Sequence, residues 1–144
     1  MSSTPDDFEL DPRLDEETLQ VIDLPLCRVR LMNDSRYPWL VLIPRRAGLT
    51  ELIELDAGDR RVLTDEIDAC SRVLMDHTAA DKLNVAALGN QVRMLHVHVV
   101  ARFEDDDAWP GPVWGVFPAR PYPNDASTLC SALARELESG ADAL

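Results

Sequence analysis

The sequence predicts an α+β domain built on an antiparallel sheet, and three observations carry that expectation. Met94 to Phe103 alternates strictly and holds two of the three histidines, which reads as a β-strand. From Asp59 to about Ala79 apolar side chains recur at spacings of three and four, the pattern of a long amphipathic helix. The elements run strand, strand, helix, strand, strand, and a chain of 144 residues is the size of one domain, residues 1–144.

In chain order, residues 1–13 read as a frayed acidic arm, and Asp15 to about Ile22 as a short helix that Pro25 stops. Leu26 to Met32 alternates loosely and makes a first strand. Asn33 to Pro38 is turn chemistry, and Trp39 to Ile43 is a short apolar run closed by Pro44, hence a buried strand. Leu49 to Leu55 gives one or two helical turns. On the long helix Val62, Leu63, Ile67, Cys70, Val73 and Leu74 form the inner face; Arg60, Arg61, Asp65, Glu66 and Asp68 form the outer one. Lys82 to Leu88 is a strand, and Gly89-Asn90-Gln91 is a loop leading into the histidine strand. There, period two puts Met94, His96, His98, Val100 and Arg102 on one face and Leu95, Val97, Val99, Ala101 and Phe103 on the core face. Glu104 to Asp107 is an acidic turn expected in solvent. Residues 108–115, with Trp109 and Trp114, hold too much Pro and Gly for regular structure and read as a packed flap or an interface. Leu129, Leu133 and Leu137 mark a C-terminal helix over 126–140.

Composition narrows the function. A net charge of −12 argues against binding along a nucleic-acid backbone, which needs clustered Lys and Arg. It leaves room for a small nucleotide, whose phosphate backbone N–H groups can meet. The three cysteines, Cys27, Cys70 and Cys130, form neither a disulfide framework nor a Cys-x-x-Cys pair, which points to a reducing cytosol. The N-terminal residues are polar and acidic, unlike a signal peptide, and no apolar run approaches the roughly 18 residues of a membrane span. The expectation is a cytoplasmic protein with no membrane partner.

Two imidazoles on one strand face leave three readings open. They can be hydrogen-bonded structural residues. They can hold a metal, as His-x-His on a strand does elsewhere; the nearest downstream carboxylate, Glu104, lies too far along for a cupin pattern. Or one can be a nucleophile at phosphorus, since imidazole is largely neutral at neutral pH and can form and release a covalent bond. The preceding loop supplies donors for phosphate charge: the amides of Gly89 and Asn90 and the side chains of Asn84, Asn90 and Gln91.

The segment Gly89-Asn90-Gln91-Val92-Arg93-Met94-Leu95-His96-Val97-His98-Val99-Val100 resembles the histidine triad (HIT) family, whose signature is His-φ-His-φ-His-φ-φ after Gly-Gln/Asn-x-Val. Upstream, Tyr37 to Arg45 is similar to the family's "PGHxLVIPK" strand, and Trp109-Pro110-Gly111-Pro112 to a Trp-Pro segment of some members. The likeness spans about residues 24–116. It implies a homodimeric HIT-like fold, with about five strands covered by one long helix, that binds a nucleotide or related phosphate ester. It further implies hydrolysis or transfer at the α-phosphate through a nucleotidyl-histidine intermediate, with no cofactor and no metal. By position His96 matches the nucleophile and His98 the third histidine beside the phosphate. Asn84 and Gln91 match phosphate-side residues, and Asn33 and Asp34 fall where base and ribose are lined.

The chain departs from the family pattern at two places. Met94 stands for the first triad histidine and Trp39 for the "PGH" histidine. Met cannot replace the hydrogen bonds of imidazole, so the nucleophile needs another orienting partner, for which a backbone carbonyl is the candidate. The rival function is a nucleotide-binding module without catalysis.

Overall fold

The structure is a computed structural model that describes residues 7–142. A short helix α1 (Pro12–Glu17) leads into strand β1 (Thr18–Asp23), followed by β2 (Cys27–Met32) and β3 (Trp39–Pro44). A single 3-10 turn (Leu52–Glu54) precedes the long helix α2 (Ala57–Thr78), then β4 (Lys82–Ala86), β5 (Val97–Arg102) and the terminal helix α3 (Ser127–Asp142). The five strands form one antiparallel sheet in the order β1-β2-β3-β5-β4. It is the expected α+β arrangement.

The N-terminal region corrects two expectations. Residues 1–6 of the expected arm lie outside the described residues, but residues 7–13 are not frayed. Phe8 and Leu10 pack on a buried cluster, and Asp11 caps α1 by accepting from the Arg13 N–H at 2.8 Å. The helix expected over 15–22 ends at Glu17, and the chain becomes a strand at Thr18. The reason is tertiary: Arg30 on β2, nearly buried, donates to the Thr18 hydroxyl (2.8 Å) and carbonyl (3.0 Å) and to Asp15 (3.1 Å). Those bonds hold Thr18-Leu19-Gln20-Val21-Ile22, whose β-branched residues favour a strand, alongside β2.

The sheet is covered on both sides, which is why every residue of β3 and β5 is buried and β3 reads as a continuous apolar run. One face, with Val29, Leu31, Leu40, Leu42, Val97 and Val99, packs under α2 and α3. Leu133 and Leu137 of α3 are fully buried there. The other face, with Trp39, Val41, Ile43 and Val100, packs against Leu14 of α1 and Val113 of the Trp-bearing loop.

Glu66 is a third correction, because it lies on the inner face of α2, 1% exposed. Its carboxylate accepts the backbone N–H groups of Leu26 (2.9 Å) and Cys27 (2.7 Å), clamping α2 to the start of β2. Helical periodicity does not reveal a carboxylate used as an internal acceptor. Glu66→Ala strands two buried N–H donors, so an expected cost of about 3 kcal/mol should appear as a lower urea midpoint at unchanged slope.

Candidate functional site

The first triad positions, Met94 to His96, precede β5, whose ladder begins at Val97. His96 nevertheless shares a cavity with His98: their ring centroids are 4.8 Å apart and the rings meet edge-on. The cavity holds about 1220 Å³. Its floor is His96, His98 and Trp39; its walls are the loop Leu88–Val92, the end of β2 with Met32, Asn33 and Asp34, helix α1, and the segment from Val113 to Pro121.

Both histidines are held. His96 Nδ1 lies 2.6 Å from the Met94 carbonyl oxygen. A carbonyl only accepts, so Nδ1 carries the proton, and in the neutral ring Nε2 holds the lone pair. The main chain of Met94 thus supplies the orienting partner that its side chain cannot. His98 Nδ1 accepts from the Trp39 indole N–H at 3.0 Å. Burial, with His96 close by as a second cause, pushes the pKa of His98 down to about 3. His98 is therefore neutral at physiological pH. Trp114 closes against the pair, its ring 5.2 Å from His98 and 5.8 Å from Trp39.

The site residues expected from sequence divide into two groups. Gly89, Asn90 and Gln91 line the cavity beside His96 and His98, as do Asn33 and Asp34. Gly89 turns the loop with φ +73°, a conformation that glycine adopts freely. The Gln91 Oε1 accepts from Arg13 Nη2 of α1 at 2.8 Å. Asn33 Oδ1 accepts from the Tyr122 N–H (2.8 Å), and Asp34 Oδ1 from the N–H groups of Arg36 (3.0 Å) and Arg120 (3.2 Å). These two residues thus also fasten the segment after Phe117 over the β2–β3 turn. Asn84 is the exception. It does not line the cavity, and its Oδ1 accepts from Arg102 Nη1 at 2.8 Å.

Arg102, 1% exposed, organises the loop behind the site. It forms a two-pronged pair with Asp106 (2.8 and 3.0 Å), donates to the Gly111 carbonyl (2.8 Å), and lies near the rings of Tyr37 and Trp109. Asp106 also accepts the N–H groups of Phe103, Ala108 and Trp109. The acidic run is therefore not a plain solvated turn: Asp106 is interior, and Asp107 pairs with Arg36 at 2.6 Å. None of the run lines the cavity. The Trp loop is the packed flap, with Trp109 against Arg102 and Trp114 in the site.

The ionisable residues lining the cavity are Arg13, Glu16, Glu17 and Asp34, besides the two histidines. The thiols take no part: burial pushes Cys70 up to about 12 and raises Cys27 and Cys130 as well. Arg13, Trp39 and Trp114 also line the cavity, although the sequence placed none of them among the candidate site residues. Trp39 had a signal in its place opposite the family's histidine. Arg13 had none, since 78 residues separate it from Gln91. Among the described residues no helix is long and apolar enough to cross a membrane.

The HIT domain matches residues 13–105 of the chain. A histidine triad protein from Bradyrhizobium japonicum is 45% identical, superposes with a TM-score of 0.87, and matches over 90% of this chain and 98% of that one. A second, from Sinorhizobium meliloti 1021, is 43% identical with a TM-score of 0.87, over 95% and 99%. A third, from Marinobacter aquaeolei VT8, is 41% identical with a TM-score of 0.88, over 92% and 97%. No curated protein matches the chain. With the domain match covering well over half the sequence and these likenesses running nearly end to end, the chain belongs to the histidine triad family.

Proposed function

We propose that this protein is a nucleotide phosphohydrolase or nucleotidyl transferase that works at an α-phosphate through His96. The observation that carries the reading is the 2.6 Å contact of His96 Nδ1 with the Met94 carbonyl, which leaves Nε2 as a bare nucleophile in the cavity. Nε2 attacks phosphorus, the bond to the leaving group breaks, and that group takes up a proton. Water then attacks the nucleotidyl-histidine, the P–N bond breaks, and His96 and a nucleoside monophosphate are released. The amides of Gly89 and Asn90, the side chain of Gln91, and His98 receive the phosphoryl oxygens; Asn33 and Asp34 face the nucleoside. The test is cleavage of adenosine 5′-monophosphoramidate, followed by the release of AMP. AMP binding by calorimetry without turnover on a broad panel of phosphate esters would leave only the binding module.

The protein acts as a homodimer in the cytoplasm. Strand β4 is an edge of the sheet, and Val85 within it and Leu88 just after it are 49% and 42% exposed, a surface suited to a second copy. Val85→Lys is expected to lower the mass seen by light scattering at micromolar concentration from dimer to monomer. Parent protein that is already monomeric would refute the assembly.

A further inference from the structure

The two imidazoles differ in which nitrogen their partners occupy, and one partner is a tryptophan. In the antiparallel pair β3–β5, Val41 lies opposite His98 and Trp39 opposite Val100, so Trp39 and His98 are diagonal neighbours on one face. An indole N–H is a donor only, and its 3.0 Å contact is with Nδ1 of His98. Nδ1 must therefore be bare, and a neutral His98 keeps its proton on Nε2. His96 has the opposite arrangement, a proton on Nδ1 and a lone pair on Nε2.

We propose that Trp39 is a positioning residue of the site, whose indole N–H locks the neutral His98 in the tautomer that presents an Nε2–H donor to a phosphoryl oxygen beside His96. The contrast in tautomers divides the labour between two adjacent, chemically identical side chains: one attacks, the other donates. A histidine in the place of Trp39 could reverse the bond by accepting from Nδ1–H, or could itself titrate. An indole can do neither. Among the described residues the rings beside His98 are His96, Trp39 and Trp114, and the groups that set its charge are its burial and His96, with no carboxylate hydrogen-bonded to it. The two indoles of the site differ: among the described residues Trp114 Nε1 is buried without a partner, whereas the Trp39 nitrogen is engaged.

The consequence for turnover rests on the proposed roles of His96 and His98 at the phosphate, whereas the tautomer does not. The test is the side-chain ¹⁵N spectrum of His98 in ligand-free protein from pH 5 to 8, for the parent, for Trp39→Phe, and for protein carrying a benzothiophene isostere at position 39. The isostere keeps the ring's shape and removes only the N–H. In the parent, His98 should show a bare Nδ1 and a protonated Nε2 that do not change across the range. In both variants it should show mixed Nδ1–H and Nε2–H tautomers; in the isostere protein the ring should stay neutral, because the burial that holds its pKa down is retained. Phosphoramidate turnover at pH 8 should fall about tenfold, the scale of one lost orienting hydrogen bond. A parent His98 protonated on Nδ1, or an isostere protein whose His98 matches the parent, would overturn the proposal. A shifted tautomer with unchanged turnover and unchanged AMP affinity would overturn the positioning role. Parent protein that neither cleaves the phosphoramidate nor binds AMP would instead refute the functional reading, and the spectra would still decide what Trp39 does to His98.

Discussion

His96→Ala protein is expected to fold as the parent does and to lose phosphoramidate turnover by at least about 10³-fold, the scale on which removing a covalent nucleophile acts. Folding should survive because His96 precedes β5 and, among the described residues, its side chain makes one hydrogen bond, to the neighbouring Met94 carbonyl. AMP should still bind, since the loop at Gly89–Gln91 and His98 remain. The loss should therefore fall on kcat more than on affinity. Equal turnover in the parent and His96→Ala would end the enzymatic reading. Restoring a histidine at position 94 is a weaker lever, because the group that orients His96 is the main-chain carbonyl of residue 94, which any residue supplies.

Arg102→Met is expected to cost about 3–5 kcal/mol in urea unfolding, because it leaves the Asp106 carboxylate buried without its cation. The same substitution frees the Gly111 carbonyl and the Asn84 side chain from their donor. The segment it loosens leads to Val113 and Trp114, which wall the cavity, so ligand affinity should fall along with stability. An Arg102→Met protein as stable as the parent would show that the pair only fills space.

The same residues set the acid limit. Burial pushes Asp106 up, but the hydrogen bonds from Arg102 and from the Phe103 and Trp109 amides outweigh it and hold the carboxyl at about 2. Its folded value lies below its ordinary 3.8, so its contribution is complete above that value and is lost as pH falls through about 2. His98 acts in the same direction at higher pH. Its ordinary value is 6.5 and its folded value about 3, so below pH 6.5 the unfolded chain binds a proton that the folded chain refuses. Stability should therefore decline from pH 6.5 toward 3, and His98→Gln should flatten that decline when unfolding is measured at each pH.

Much of the architecture was legible because it depends on periodicity. The alternation at Val97–Arg102, the three-four spacing through Leu63, Cys70 and Leu74, and the leucines of α3 each report a face that must be buried, and each was. The histidine pair and the Gly89–Gln91 loop were legible as a family pattern. Expectations failed where a polar side chain turned inward. Glu66 and Asp106 looked like surface charge, and only the donors packed around them show why they are interior. Thr18 to Ile22 looked helical in isolation, and pairing with β2 through Arg30 made it a strand.

By itself, the sequence determined the fold class, the faces of its long helix and the pair of histidines around which a phosphate site could be built. These follow from local spacing and from residue chemistry, which a linear chain displays. The tertiary structure decided which nitrogen of each imidazole is engaged, that Asn84 serves Arg102 instead of the cavity, and that Arg13 and Trp39 line that cavity. Those outcomes depend on groups far apart in the chain, Trp39 and His98 being 59 residues apart. A hydrogen bond is fixed by distance and angle in space, and no one-dimensional pattern carries either.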